Sequence, residues 1–187
     1  MDQALNLAPL LLTLAVRQVT EFAMRRDVPG EKPGEGKASI VLWYIAYLTI
    51  LALALWRAWP TPIMSQPWWG YMVIWIGMVL RLVSLREIGV CYHPLILLRE
   101  GHRLIDTGPY RWLRHPLHLG LHIEMLGLAL LAGTVQGWIA LGLSLLVLAR
   151  RNMQEERALE EFFGATYRGY RSHAWDVIDL LPGDHKS

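Results

Sequence analysis

Apolar residues in this chain come in long blocks, with the polar residues gathered between them. Five blocks approach the roughly 20 helical residues that cross a bilayer's hydrocarbon core. They run from Ala4 to Phe22, Ala38 to Trp59, Trp68 to about Val83, Leu117 to Ala132 and Thr134 to Leu148. Arg17, Gln18 and Glu21 crowd the end of the first block, which is therefore expected to tilt or to lie partly in the interface. Trp43, Tyr44, Trp56 and Trp59 stand where aromatic rings anchor a span at the headgroup level. Arg25 to Lys37, rich in Gly, Pro and charge of both signs, reads as an exposed loop, and Pro60 to Pro67 as a turn. Only Gly133 and its neighbours separate the last two blocks, which predicts a tight helical hairpin. The expected fold is an all-α polytopic membrane protein of about five transmembrane helices.

Charge orients that picture. Basic residues collect in the first loop, again at Arg81, Arg86, Arg99, Arg103, Arg111 and Arg114, and after Arg150, while the hairpin turn has none. The positive-inside rule then places the N-terminus outside and both the Arg81–Arg114 segment and the C-terminal tail in the cytoplasm. With 53% hydrophobic and 18% charged residues among 187, the composition suits lipid surroundings. A formal net charge of +2 without a separate basic stripe excludes a nucleic-acid binder. The single cysteine, Cys91, excludes an internal disulfide and a multi-cysteine zinc site. Leu5 to Val16 has the length of a signal h-region without a basic n-region or a cleavage site, and reads as a retained membrane segment. No internal repeat suggests a solenoid or a repeat-built transporter.

Ionisable groups meet lipid at two places on the same side. One is the segment Gly101 to Pro116, in which Gly108-Pro109 signals a turn and Pro116 suits the first turn of the fourth span. His115 and Arg114 then sit at a helix entrance, where free N–H groups and the dipole favour a carboxylate. The other is Ala149 to Arg157, where Arg151 and Glu155 are four apart and share a helix face. On spacing alone that pair reads first as a snorkelling arginine with a solvated partner.

The ordered set Gly101-His102, Gly108-Pro109-Tyr110-Arg111, Arg114-His115-Pro116 with Gly120, Glu155-Glu156, Phe163-Gly164, Tyr167, Tyr170 and Leu181-Pro182 resembles the isoprenylcysteine carboxyl methyltransferases and, more widely, the phospholipid N-methyltransferases. The resemblance implies an S-adenosylmethionine pocket on the cytoplasmic side, over the last two spans, and divides the chain into a substrate entrance (residues 1–100) and a methyltransferase core (101–187). It implies that His102, Gly108, Tyr110, Arg114, His115 and Glu156 bind the cofactor and that Arg151 and Glu155 are the catalytic positions. A cofactor that is at once a sulfonium, a zwitterion and an adenosine needs carboxylates, cations and aromatic surface together.

The family usually has an aromatic residue two positions after the proline of Arg-His-Pro, where this chain has His118. With His115 and His122 it repeats at three and four residues on one helix face, a spacing that suits packing, a substrate wall or a proton acceptor, and that also invites a metal. The remaining histidines are scattered, so no metal is expected. Glu124, costly in lipid, is expected to face the bundle interior, and His118, His122 and Glu124 are assigned to the substrate side. Leu159, Phe162, Phe163 and Tyr167 suggest an amphipathic cover beyond the last span. The expected partners are a small lipophilic substrate and membrane lipids, with no protein partner implied. A nicotinamide-dependent, sterol-reductase-like enzyme, which shares Arg-His-Pro, and a non-catalytic lipid-binding protein or transporter are the alternatives. A carboxylate acceptor would want Arg151 to position it, whereas a hydroxyl or amine would want a base such as Glu155 or a histidine.

Overall fold

The computed structural model describes residues 3–24, 37–89, 103–176 and 179. These form six α-helices: α1 (Ala8–Met24), α2 (Lys37–Ala58), α3 (Trp68–Ile88), α4 (Pro116–Ala132), α5 (Val135–Phe163) and the short α6 (Ala165–Arg171). No strand occurs among the described residues, only an isolated bridge between Leu113 and Trp175. Helices occupy all five predicted positions. Two of them, Ala38–Ala58 and Trp68–Ile88, are long and apolar enough to cross a membrane, and Leu5–Thr20 and Pro116–Ala132 are shorter apolar helices.

Large apolar side chains point outward as well as inward. Leu12, Val19, Val41, Leu48, Ile76, Val79, Ile139 and Leu146 are exposed, as expected of a surface that meets lipid and not of a water-soluble monomer. Leu10, Ile50, Ile74, Met125, Leu128 and Ala129 close the core between the helices.

The tightest packing is between α3 and α4, whose backbones meet at glycines. A Cβ on Gly77 would lie 2.6 Å from the Gly120 carbonyl oxygen, and one on Gly127 would lie 2.6 Å from that of Gly70. Small residues spaced along facing helices allow this approach where no side chain would fit. The predicted hairpin is present, with Gly133 at φ +59° ending α4 and the Thr134 hydroxyl accepting the Gly137 N–H to begin α5. Its arms nevertheless pack mainly on other helices, α4 on α3 and α5 on α2.

The last apolar block ends at Leu148, and α5, 29 residues long in all, continues past it to Phe163. At 1.5 Å per residue it is roughly 40 Å long, more than the hydrocarbon core of about 30 Å. Its polar half therefore stands clear of the apolar layer, and Gly164 at φ +55° turns the chain back into α6. There Tyr167, Tyr170 and Ala174 form a second buried cluster with Leu104, Leu159 and Phe163. The expected amphipathic cover is this folded-back cap. Trp175 leaves it by pairing with Leu113, and Leu180 to Pro182 lie outside the described residues.

At the opposite end of the bundle, Gln66 donates to the Asn6 carbonyl (2.7 Å) and accepts from the Tyr71 hydroxyl (2.5 Å). These bonds tie the start of the chain to the turn before α3.

Candidate active site

Proline restricts the residue before it to non-helical backbone, so Pro116 starts α4 abruptly. His115 is left at φ −129°, ψ 59°, outside the helix. Just upstream, the Arg114 N–H donates to the Trp175 carbonyl and the Trp175 N–H to that of Trp112, both at 2.9 Å. This short parallel bridge lays Trp175 and Asp176 beside the mouth of α4. Asp176 and Asp179 arrive with it, Asp179 pairing with the Arg114 guanidinium.

The polar half of α5 supplies the opposite wall. Arg151 and Glu155 fall on one face, and Asn152 and Glu156 on the next. Arg114 Nη1 lies 2.9 Å from Glu156 Oε1. His115 Nε2 is 3.6 Å from Glu156 and 3.9 Å from Asp176, its Nδ1 is 3.9 Å from Glu155, and its ring stacks on His118 with centroids 5.7 Å apart. Burial alone would lower the His115 pKa, but the Glu156 carboxylate at Nε2 and the charges of Glu155 and Asp176 outweigh it, so the value lies above 6.5.

The cap closes the site. The Tyr170 hydroxyl donates to the Tyr110 carbonyl (2.7 Å). Burial raises the pKa of both Tyr167 and Tyr170, so each keeps its proton as a donor. Tyr167 OH and His115 Nε2 are buried without a hydrogen-bond partner among the described residues. Such atoms are uncommon in a finished interior.

Arg114, His115, His118, Arg151, Glu155 and Glu156 thus come together. Tyr110 stands behind them, buried under the cap. Gly108, at φ +57°, lies farther out, where the end of α3 brings Glu87 so close that a Cβ would meet its carboxylate at 3.0 Å. His122 is one turn deeper, its ring nitrogens 3.0 Å from the His118 carbonyl and 3.3 Å from that of Ser144. Glu124 belongs to a different cluster, 1% exposed, with Arg17 at 2.6 Å and Arg81 at 3.3 Å. It faces the bundle interior as predicted, and Arg17, expected to disturb the first span, is the residue that meets it there. His102 lies outside the described residues.

Several contributors were missed by the sequence reading. Asn152 carried a usable signal, one turn before Glu156 on α5. Asp176, Asp179 and Ser39, whose hydroxyl accepts from Arg151 at 3.4 Å, carried none, since only the tertiary fold brings them here. The His115/His118/His122 face does not converge. The compact donor groups are instead His115 with His118 and Glu155, and His115 with Glu156 and Asp176, each with atoms within 4.8 Å of one another. Arg114 already places a cation beside Glu156 in that cluster.

The sequence profile of the phospholipid methyltransferase family matches residues 65–166, from the turn before α3 to the start of α6. The chain is also 25% identical over 174 residues to protein-S-isoprenylcysteine O-methyltransferase A of Arabidopsis thaliana, covering 88% of each protein. The Dictyostelium discoideum protein-S-isoprenylcysteine O-methyltransferase is 27% identical over 74% of this chain and 60% of its own length. An uncharacterized Bacillus subtilis protein is 23% identical over 82% of this chain and 96% of its own length. The shared stretch contains the mouth of α4 and the polar half of α5, the two walls of the site. The chain belongs to the phospholipid methyltransferase family and is a membrane methyltransferase related to the protein-S-isoprenylcysteine O-methyltransferases.

Proposed function

We propose that the protein transfers a methyl group from S-adenosylmethionine to a small lipophilic acceptor at the cytoplasmic face of a membrane crossed by five of its helices, with the N-terminus outside. The observation that carries this reading is the meeting of Arg114 and His115 with Glu155, Glu156 and Asp176 under a tyrosine cap. The Tyr167 hydroxyl, buried without a hydrogen-bond partner among the described residues, and His115 Nε2, held among the carboxylates of Glu156 and Asp176, fit a ligand bearing a carboxylate, an ammonium and a sulfonium. Arg114 and His115 would hold the carboxylate. Glu156 would hold the ammonium, Tyr110 would shape the wall, Gly108 would set the turn at its edge, and His102 would come from the preceding segment.

The bound sulfonium supplies an electrophilic methyl with a good leaving group, so the protein's task is to position the acceptor and exclude water. Arg151 and Glu155, on the α5 face toward α2, would orient the acceptor. His122 and the bundle beneath would form its route from the bilayer, with Glu124, paired to Arg17 and Arg81, at its base. Membrane lipids are the source of the acceptor, and nothing in the proposal calls for a protein partner.

The test supplies purified protein with donor labelled in the methyl group and a panel of prenylated and long-chain acceptors. Label is expected in the organic phase and to be lost in Glu156→Ala. No transfer to any acceptor by folded protein, together with binding of a nicotinamide nucleotide, would replace this reading with the reductase one.

A further inference from the structure

Asn152 is buried between two partners of different character. Its side-chain nitrogen lies 3.1 Å from both carboxylate oxygens of Asp176, and its oxygen lies 2.8 Å from His118 Nδ1. A carboxylate only accepts hydrogen bonds, so the amide nitrogen must face it and the amide oxygen must face the histidine. The amide oxygen also only accepts, so Nδ1 must carry the hydrogen. Reversing the amide would set oxygen against carboxylate at 3.1 Å and lose both bonds to Asp176. In the neutral ring Nε2 is therefore left as a bare lone pair, a proton acceptor whose tautomer is fixed from two residues away. A ring nitrogen of His118 comes within 4.8 Å of Glu155 and of His115, so the imidazole borders the reaction cluster. His115 is stacked on it, Glu155 and Arg151 face it from α5, and Asp176 stands behind Asn152.

We propose that His118 is the general base of the reaction, and that the atom methylated bears a proton in the bound acceptor: a hydroxyl, amine or thiol of a lipophilic molecule and not a carboxylate. This rests on the methyltransferase reading above and narrows its substrate class. The acceptor's lone pair forms the new bond to the methyl carbon, and the carbon–sulfur bond breaks with its electron pair passing to sulfur, leaving a neutral thioether. The acceptor's proton moves to His118 Nε2 and then to water. A carboxylate has no such proton to give and gains nothing from a base whose tautomer is set in this way. Asn152 and Asp176 are positioning residues that act through His118.

The experiment combines a spectroscopic and a chemical readout. In protein labelled with 15N-histidine, neutral His118 should show protonated Nδ1 and bare Nε2, and Asn152→Ala should mix the tautomers. Farnesol, farnesylamine and farnesyl thiol are then compared with N-acetyl-S-farnesylcysteine, using methyl-labelled donor. The product should be stable to base, as ethers, amines and thioethers are, whereas a methyl ester releases its label as methanol. His118→Phe should bind the demethylated cofactor as wild type does and lose about 100-fold or more in kcat on the protic probes; Asn152→Ala should lower kcat with little change in KM. A wild-type Nε2–H tautomer, base-labile product, or undiminished turnover by His118→Phe would overturn the proposal. Failure of the wild type to bind donor or demethylated product would instead remove the underlying methyltransferase reading.

Discussion

Replacing Gly77 with alanine tests whether the α3–α4 contact holds the frame on which the site is built. The added Cβ would lie 2.6 Å from both the Glu124 nitrogen and the Gly120 carbonyl oxygen, and 3.0 Å from Glu124 Cγ. The first two are backbone atoms of the facing helix, so only separation of the helices can relieve the clash. Overpacking of this kind costs about 1–3 kcal/mol, and the upper end applies where the obstacle is backbone. Alanine's better helix propensity returns about 1 kcal/mol, leaving a net loss of about 2 kcal/mol. For a chain of this size that corresponds to a Tm lower by about 4–8 °C. Gly142 on α5 is the control, since a Cβ there meets nothing within 4 Å. Gly142→Ala should gain up to about 1 kcal/mol and raise Tm by about 2–4 °C. Thermal unfolding in detergent, followed by circular dichroism, reads both variants. A Gly77→Ala protein that melts at or above wild type would refute the close-packing argument, whatever Gly142→Ala does.

Glu124→Gln should cost about 3–5 kcal/mol, because it leaves Arg17 and Arg81 buried around a neutral amide; unfolding in detergent measures it, and a change under 1 kcal/mol, by the same principle, would speak against the cluster. Because the His115 pKa is raised in the folded protein, the stability it contributes is complete below its unfolded value near 6.5 and is lost as the pH climbs through the higher folded value. Tm should therefore fall as the pH is raised above 6.5, and His115→Gln should flatten that slope. Tyr170→Phe removes the buried bond to the Tyr110 carbonyl at a cost of about 1–3 kcal/mol; hydrogen exchange should then quicken in residues 103–115 while α3 and α4 keep their protection.

Hydrophobic blocks made the helices legible because each apolar run is long and bounded by charge, glycine or proline. The polar half of α5 was legible by a different rule: Arg151 and Glu155 share a helix face that continues the last span into water, and Gly164 marks the break that ends it. That half is stabilised by packing under the cap and by ion pairs, so hydropathy ends at Leu148 while the helix continues to Phe163. Pro116 fixed the mouth of α4, and the i, i+4 spacing in α5 put its charged residues on neighbouring faces. Those two local rules set Arg114 and His115 at one helix mouth and Arg151, Glu155 and Glu156 on adjoining faces of α5, while the meeting of the two sets was implied by the family resemblance. What stayed hidden depended on tertiary contacts: the backbone bridge from Leu113 to Trp175 delivers Asp176 and Asp179, and the approach of α1 to α3 and α4 turns Arg17 inward onto Glu124. No spacing rule joins residues 107 positions apart.

Binding of S-adenosylmethionine and of its demethylated product, followed by calorimetry on protein purified in detergent, tests the central claim most directly. Wild type should bind both, and His115→Ala and Glu156→Ala should each weaken binding at least tenfold while remaining folded. A folded wild type that binds neither, or variants that bind as tightly as wild type, would contradict the assignment of the α4–α5 cluster as the methyl-donor site.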